Sequence, residues 1–388
     1  MATWGVERDE HQSSPTWLLD GVPGTPTLTY RSKIARLVVV AAVALAAVAC
    51  DGVGGGSGTR TNETSPADTD PTGIPGPSGV TGFLDPRPDE QAVRNLFEVE
   101  ADHGEYWRIS TLERFNGTSW TSANPYGSEG GVHLSVPATL SRSGGSPPPG
   151  AEILTQTFRV LSDFDIARAL PMAQTAEEIS GPFRDITWDP ARSQAFIDGY
   201  LKAGMEYTVR SLIVVPTPQE LDQVDHLAPR TYGKWTELPA DLDPRIKAIA
   251  ERWTADATSD YRRVLAIQQH FHNGDFAYST DVAPFADDEA MVEFLTKTRV
   301  GYCVHYASAM AVMVRALGLP ARIALGYRSG TRQENGSYLV RTTDVHAWVE
   351  VLFPGYGWLQ FEPEPGPVPH PNAQAGTYLN PVAPSDAS

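Results

Sequence analysis

Gly301-Tyr302-Cys303-Val304-His305-Tyr306-Ala307-Ser308-Ala309-Met310 and, further on, Asp344-Val345-His346-Ala347-Trp348-Val349-Glu350-Val351 are the stretches whose reading decides the fold. In the first, Ala307, Met310, Val314 and Leu317 recur three and four residues apart, which predicts a helix that Gly318 and Pro320 stop. Cys303 falls in its first turn. In the second, Val345, Ala347, Val349, Val351 and Phe353 alternate with His346, Trp348 and Glu350, which predicts a strand. A strand from Trp358 to Pro363 follows across Pro354-Gly355-Tyr356-Gly357, with Leu359 and Phe361 apolar and Gln360 and Glu362 polar.

The two strands share parity, so one face is core and the other presents His346, Trp348, Gln360 and Glu362 together. If the turn makes Leu352 oppose Trp358, Trp348 opposes Glu362 and His346 is its diagonal neighbour. Such a diagonal, about 7 Å between Cβ atoms, is within reach of a glutamate and an imidazole. A slip of two residues would put Glu364 in that place, although Pro363 and Pro365 should end the strand first. Asp344 has suitable chemistry as a competitor, while Glu350 lies too far along its own strand to orient His346.

Cys303 is the one cysteine beyond the first fifty residues, so it has no partner there for a disulfide. Its two readings are an inert core residue and a nucleophile. Unpaired N–H groups at a helix start and a nearby histidine both favour thiolate, and a carboxylate behind the histidine would fix its tautomer. Cys303, His346 and Glu362 are therefore the candidate catalytic residues, with Tyr278 and Trp348 as candidate cleft residues. A metal site from His270, His272 and Cys303 is disfavoured, because His-x-His on a helix points its rings to different sides. The sequence has no Asp-x-Asp-x-Asp-Gly calcium loop, so no cofactor or activating metal is expected.

Around this core, Pro244–Trp253, Tyr261–Phe271 and Ala290–Leu295 show helical spacing. From about Phe83 to Pro216 the pattern is one of short alternating strands, such as the runs starting at Glu105, Thr155 and Met205. Residues 51–82 are Gly, Ser, Thr, Pro and Asp with hardly an aliphatic side chain, a flexible tether, and the Pro- and Ala-rich tail 367–388 reads as disordered. The expected organisation is a leader at 1–50, a linker at 51–82, a β-rich domain at 83–237, a catalytic domain at 238–366 and a tail at 367–388.

Arg31, Lys33 and Arg36 precede the apolar run Leu37–Ala49, which ends at Cys50. That run is short of the roughly 20 residues a membrane span needs. With its basic flank and small residues it reads as a secretory signal, and Ala47-Val48-Ala49-Cys50 resembles a lipoprotein box with Cys50 as the lipidation site. An uncleaved signal anchor is the other reading. Either places the remainder outside the cytoplasm, tethered to the membrane. The net charge of −17 resides wholly after Cys50, since residues 1–50 carry four acidic and four basic side chains. So acidic a surface excludes nucleic acid as a natural partner.

Gly301-Tyr-Cys-Val-His-Tyr-Ala, Arg315-Ala-Leu-Gly-Leu-Pro-Ala-Arg322, His346-Ala-Trp-Val-Glu-Val and Gly357-Trp-Leu-Gln-Phe-Glu-Pro363, in that order, resemble the transglutaminase-like core over about residues 240–366. The resemblance implies an α+β fold, with helices packed on an antiparallel sheet in papain-like fashion, preceded by the β-rich domain. It implies Cys303 as nucleophile, His346 as base and Glu362 as third member. Tyr106-Trp107-Arg108…Phe115-Asn-Gly-Thr-Ser-Trp120 is similar to the extracytoplasmic segment of the bacterial membrane-bound subgroup. Those proteins usually carry several transmembrane helices, where this chain shows the short signal-like stretch, so an anchored soluble form is expected. The implied reaction is acyl transfer from a glutamine or peptide amide of a protein substrate through a thioester. The alternatives are a cysteine protease or amidase, and a non-catalytic envelope-binding module.

Overall fold

The computed structural model describes residues 93–366 apart from 124–129, 141–146, 149, 164–167 and 227–228, with backbone alone at 229–231. All of these belong to one compact unit, Glu63–Ser388. The signal-like run, Cys50, the linker and the tail lie outside the described residues. No helix among the described residues is long and apolar enough to cross a membrane.

The strands that build the frame are β1 (Asn95–Glu100), β2 (Trp107–Leu112), β3 (Glu152–Val160), β4 (Ala176–Ser180), β5 (Glu206–Ile213), β6 (Ala321–Tyr327), β7 (Tyr338–Arg341), β8 (Val345–Phe353) and β9 (Gly357–Phe361). The helices are α1 (Pro218–Asp222), α2 (Pro244–Trp253), α3 (Asp260–Phe271), α4 (Asp288–Glu293) and α5 (Cys303–Ala316). Thr217, Asp243, Ser259 and Asp287 cap the first four by accepting backbone N–H bonds, the local signal that starts a helix. α5 lacks such a cap: Tyr302 is extended and offers no side-chain bond. What holds α5 is burial, since its Ala, Met and Val residues other than Val304 and Ala316 are covered by α2, α3, β6 and β8.

An antiparallel sheet in the order β9-β8-β6-β2 carries the other half of this layer. A larger antiparallel sheet runs β7-β1-β3-β5-β4, with Thr331–Arg332 at one edge and Ala138–Thr139 at the other. Chain order and sheet order differ. β2 pairs with β6 (Ile323 opposite Leu112, Tyr327 opposite Trp107), and β1 pairs with β7 (Phe97 opposite Val340). Strands from the β-rich part thus complete both sheets to which the C-terminal strands belong, and one apolar cluster runs through the whole.

The β8–β9 register places Leu352 opposite Trp358 and Val349 opposite Phe361, the first of the two registers that the shared parity allows. The polar face of β8 is not open, because all of β8 is buried apart from Val345 and Leu352. β6 sets Gly326, Ala324 and Arg322 opposite His346, Trp348 and Glu350. Tyr106 packs against Trp348 and Ala324 in the room those small residues leave. Gly326 is also required by β2, since a Cβ there would collide with the Trp107 carbonyl.

Deeper along the same face Arg108 and Arg322 converge on Glu350. Arg108 Nη1 donates to both oxygens at 3.1 and 3.0 Å, and Arg322 Nε donates to Oε2 at 2.6 Å. Arg108 Nη2 also reaches the Arg192 and Ser193 carbonyls. At the other end of α5, Arg315 donates to the carbonyls of Ala321, Glu237 and Glu113, tying three segments to the helix.

Candidate active site

Cys303 enters the site because the chain turns sharply into α5. Gly301 allows that turn: a Cβ there would stand 2.8 Å from the His305 Cβ and 3.1 Å from the Phe294 ring. Val300–Gly301 pairs in parallel with Ala277–Tyr278, and the Tyr306 hydroxyl donates to the Ala277 carbonyl at 2.7 Å. The thiol is 2% exposed and accepts a bond from the Ala347 N–H.

His346 stands across from it at the start of β8. Its Nε2 donates to Glu362 Oε2 at 2.5 Å. The same oxygen accepts the Tyr106 hydroxyl at 2.7 Å, and Oε1 accepts the Glu364 N–H at 2.9 Å. Gln268 on α3 anchors the Glu362 N–H at 3.0 Å. Burial alone would raise the Glu362 carboxyl, but the His346 imidazole, the Glu364 N–H and the Tyr106 hydroxyl outweigh it and hold the group below the usual carboxylate range. Glu362 is therefore an ionised acceptor, and His346 carries its proton on Nε2, which leaves the Nδ1 lone pair toward the thiol side.

Tyr106 meets the His346 ring edge-on at 5.3 Å between centroids, and Trp348 lies nearly parallel to it at 6.2 Å. Trp348 is wholly buried, a wall behind the imidazole. Tyr278 lies at 44% exposure beside the thiol side of the site. Partial burial first, and the Glu364 carboxylate among its neighbours, push its phenol up and keep it protonated. Asp344 is committed elsewhere: it accepts the Arg341 N–H at 2.7 Å. His270 stacks on Trp253 at 3.8 Å. His272 interacts with the backbone at Glu362 and Glu364.

Two residues that the sequence reading did not place complete the site. Arg328, just past β6, donates from Nη2 to His346 Nδ1 at 3.2 Å and to Glu364 Oε1 at 2.6 Å. Glu364 Oε2 lies 3.8 Å from Nδ1 and, among the described residues, has no hydrogen-bond partner. The pattern Glu362-Pro-Glu364-Pro shows both carboxylates, but parity alone could not say that each would reach the imidazole. No periodicity in the sequence points to Arg328.

The thiol departs from its expected state. Burial first, and the Glu364 charge second, push Cys303 up to about 12, against the lowering that the Ala347 N–H and Arg328 exert. The helix start and the imidazole are present as expected, but in this enclosed site desolvation of the anion outweighs them. The arrangement can take a proton from the thiol at Nδ1 and hold the resulting imidazolium against Glu362. It does not hold a preformed thiolate.

Residues 247–363 match the Transglutaminase-like superfamily, and residues 5–218 match the TgpA N-terminal domain. A protein-glutamine gamma-glutamyltransferase of Pseudomonas aeruginosa is 30% identical over 313 residues, covering 75% of this chain and 42% of the relative. The uncharacterized protein YebA of Bacillus subtilis is 37% identical over 140 residues, covering 34% of this chain and 19% of the relative. The chain thus spans less than half the length of either. The crystal structure of the periplasmic domain of TgpA from Pseudomonas aeruginosa superposes with a TM-score of 0.51 at 24% identity, covering 75% of this chain and 92% of that one.

Proposed function

This chain belongs to the family of the TgpA N-terminal domain and carries a transglutaminase-like core, and on that footing we propose that it transfers acyl groups from glutamine carboxamides of protein or peptide substrates to amines. The observation that carries the reading is the convergence of Cys303, His346 and Glu362 at the start of α5, with Nε2 held at 2.5 Å by the carboxylate. The 30% identical relative named as a protein-glutamine gamma-glutamyltransferase supports the choice of substrate class.

In the proposed reaction the Cys303 sulfur attacks the carboxamide carbon while His346 Nδ1 takes the thiol proton. Glu362 stabilises the imidazolium that forms. The Cys303 N–H at the helix start, free of an intrahelical acceptor, donates to the developing oxyanion. The C–N bond breaks, the imidazolium gives its proton to the leaving ammonia, and a thioester remains. An amine then attacks, its proton passes to Nδ1, and the sulfur leaves and is reprotonated. Tyr278, with a phenol that stays protonated, is the proposed second oxyanion donor or cleft residue. Because Cys303 is 2% exposed, the acyl donor must displace covering groups, and Arg328 is the partly exposed side chain in contact with His346.

The division into a leader at 1–50, a β-rich domain at 83–237 and a catalytic domain at 238–366 is retained as a proposal. So is an extracytoplasmic location with a membrane tether, which rests on Leu37–Ala49 and Cys50. The structurally similar TgpA domain is named as periplasmic. The deciding experiment incubates the full chain with a glutamine peptide and a labelled primary amine, following ammonia release and amine incorporation. Cys303→Ala and His346→Ala should abolish both. Ammonia release or peptide cleavage without incorporation would assign a hydrolase instead, and near-normal turnover by Cys303→Ala would reject the mechanism.

A further inference from the structure

We propose that Cys303, His346 and Glu364 form an inhibitory binding site for a thiophilic divalent cation of the zinc type. A ligand atom from each of the three residues lies within 4.8 Å of the others, and all three side chains are buried. A thiolate, an imidazole and a carboxylate are the ligand types that zinc takes. Bonds of about 2.0–2.3 Å in a tetrahedral shell put neighbouring ligand atoms roughly 3.3–3.8 Å apart. Nδ1 and Glu364 Oε2 already stand at 3.8 Å, so the sulfur is the atom that must close up.

Two further features point to a cation. Glu364 is 4% exposed, yet its Oε2 has no hydrogen-bond partner among the described residues and is aimed at Nδ1. A buried carboxylate oxygen left in that state calls for a ligand. The other ring nitrogen donates to Glu362, the carboxylate–histidine arrangement that orients a metal-bound imidazole. Around the thiol, Glu362 and Glu364 both act on the guanidinium of Arg328. Arg328 now partly fills the cation's place. Its side chain is 32% exposed, and cation binding requires it to withdraw toward solvent.

Binding exchanges the thiol proton for the metal: the S–H bond breaks, the Zn–S bond forms and the proton leaves to solvent, so affinity rises with pH. The ion reverses the penalty that burial places on the thiolate. It also occupies the lone pair that the base needs, so the bound protein can neither be alkylated nor acylated at Cys303. Calcium and magnesium, which require oxygen-rich shells, are not ligands here.

The test titrates the full chain with Co²⁺ as a spectroscopic probe, then with Zn²⁺ in competition, while following protection of Cys303 from iodoacetamide. One ion per chain with a thiolate-to-cobalt absorption band is expected, and it should vanish in Cys303→Ser, in which Cys50 still remains. Glu364→Gln should weaken binding by about tenfold or more, as loss of a ligand does. Arg328→Gln should tighten it. Equal affinity for wild type and Glu364→Gln, or a band that survives Cys303→Ser, overturns the proposal. Should Glu364→Gln fail to fold, unchanged or weaker binding by Arg328→Gln overturns it alone. Occupancy is read without a substrate. Zinc binding without acyl transfer would leave this site standing and remove the proposed function, and zinc-insensitive acyl transfer would do the reverse.

Discussion

The nucleophile rests as a neutral thiol, because burial and then Glu364 push Cys303 up to about 12. Iodoacetamide should therefore label it slowly at about pH 7, with no rise across the acidic range, since thiolate is the reactive form. Glu364→Gln removes the nearest destabilising charge and should speed labelling. Rapid labelling of the wild type near pH 6 would show a preformed thiolate and contradict a neutral resting thiol. Glu362 acts on the partner. Exchanged for Gln it keeps its size but no longer demands an Nε2 proton, and kcat should fall by about 10³–10⁴ with KM little changed, as for a triad that loses its tautomer. Tyr106→Phe takes away one of three donors to that carboxylate, so a loss of about three- to tenfold is expected. Equal damage from both variants would mean that the site had collapsed rather than lost a tautomer.

At the scale of the element, β8 carries His346 at one end and the Arg108–Glu350–Arg322 cluster in its middle. The cluster is wholly buried, and Arg322 Nη2 has no hydrogen-bond partner among the described residues even so. Its net attraction matters less than the penalty for breaking it. Glu350→Gln strands two guanidiniums away from water and should cost about 3–5 kcal/mol in denaturant unfolding. A loss below about 1 kcal/mol would show that carbonyls such as those of Arg192 and Ser193 suffice. β6 is equally constrained. Gly326→Ala drives a methyl into the Trp107 carbonyl, so β2 and β6 must part beside His346. Lower stability and lower activity should appear together in that variant.

Over the whole molecule, sheet pairing joins what the chain separates. Residues 238–366 expressed alone would lack β2 beside β6 and β1 beside β7, leaving long apolar strand edges without partners. That fragment should be insoluble or unfolded by circular dichroism, whereas residues 83–366 should fold. A cooperative unfolding transition from the short fragment would refute this. Acid tests the site's part in the fold. Glu362 titrates below its ordinary value of 4.5 in the folded state, so its contribution is complete above that value and is lost as pH falls through the folded one. Glu362→Gln should thus lose the share of acid sensitivity that lies below about pH 4.5. A variant whose stability runs parallel to the wild type through that range would assign the sensitivity to other carboxylates.

Alternation along Val345–Phe353 and Trp358–Phe361 was enough to fix which faces the two strands share, because a slip of one residue would turn every apolar side chain to the wrong face, while the choice against a slip of two came from the turn. Helical spacing after Gly301 likewise put Cys303 at a helix start, and together these local patterns named Cys303, His346 and Glu362. Local pattern is blind to what covers a face. The closed polar side of β8, Tyr106 against Glu362 and Arg328 against His346 all join residues far apart in the chain, in places where no period repeats. The protonation of Cys303 was equally out of reach, because it depends on enclosure by several elements, and enclosure exists only once the sheet has closed over α5.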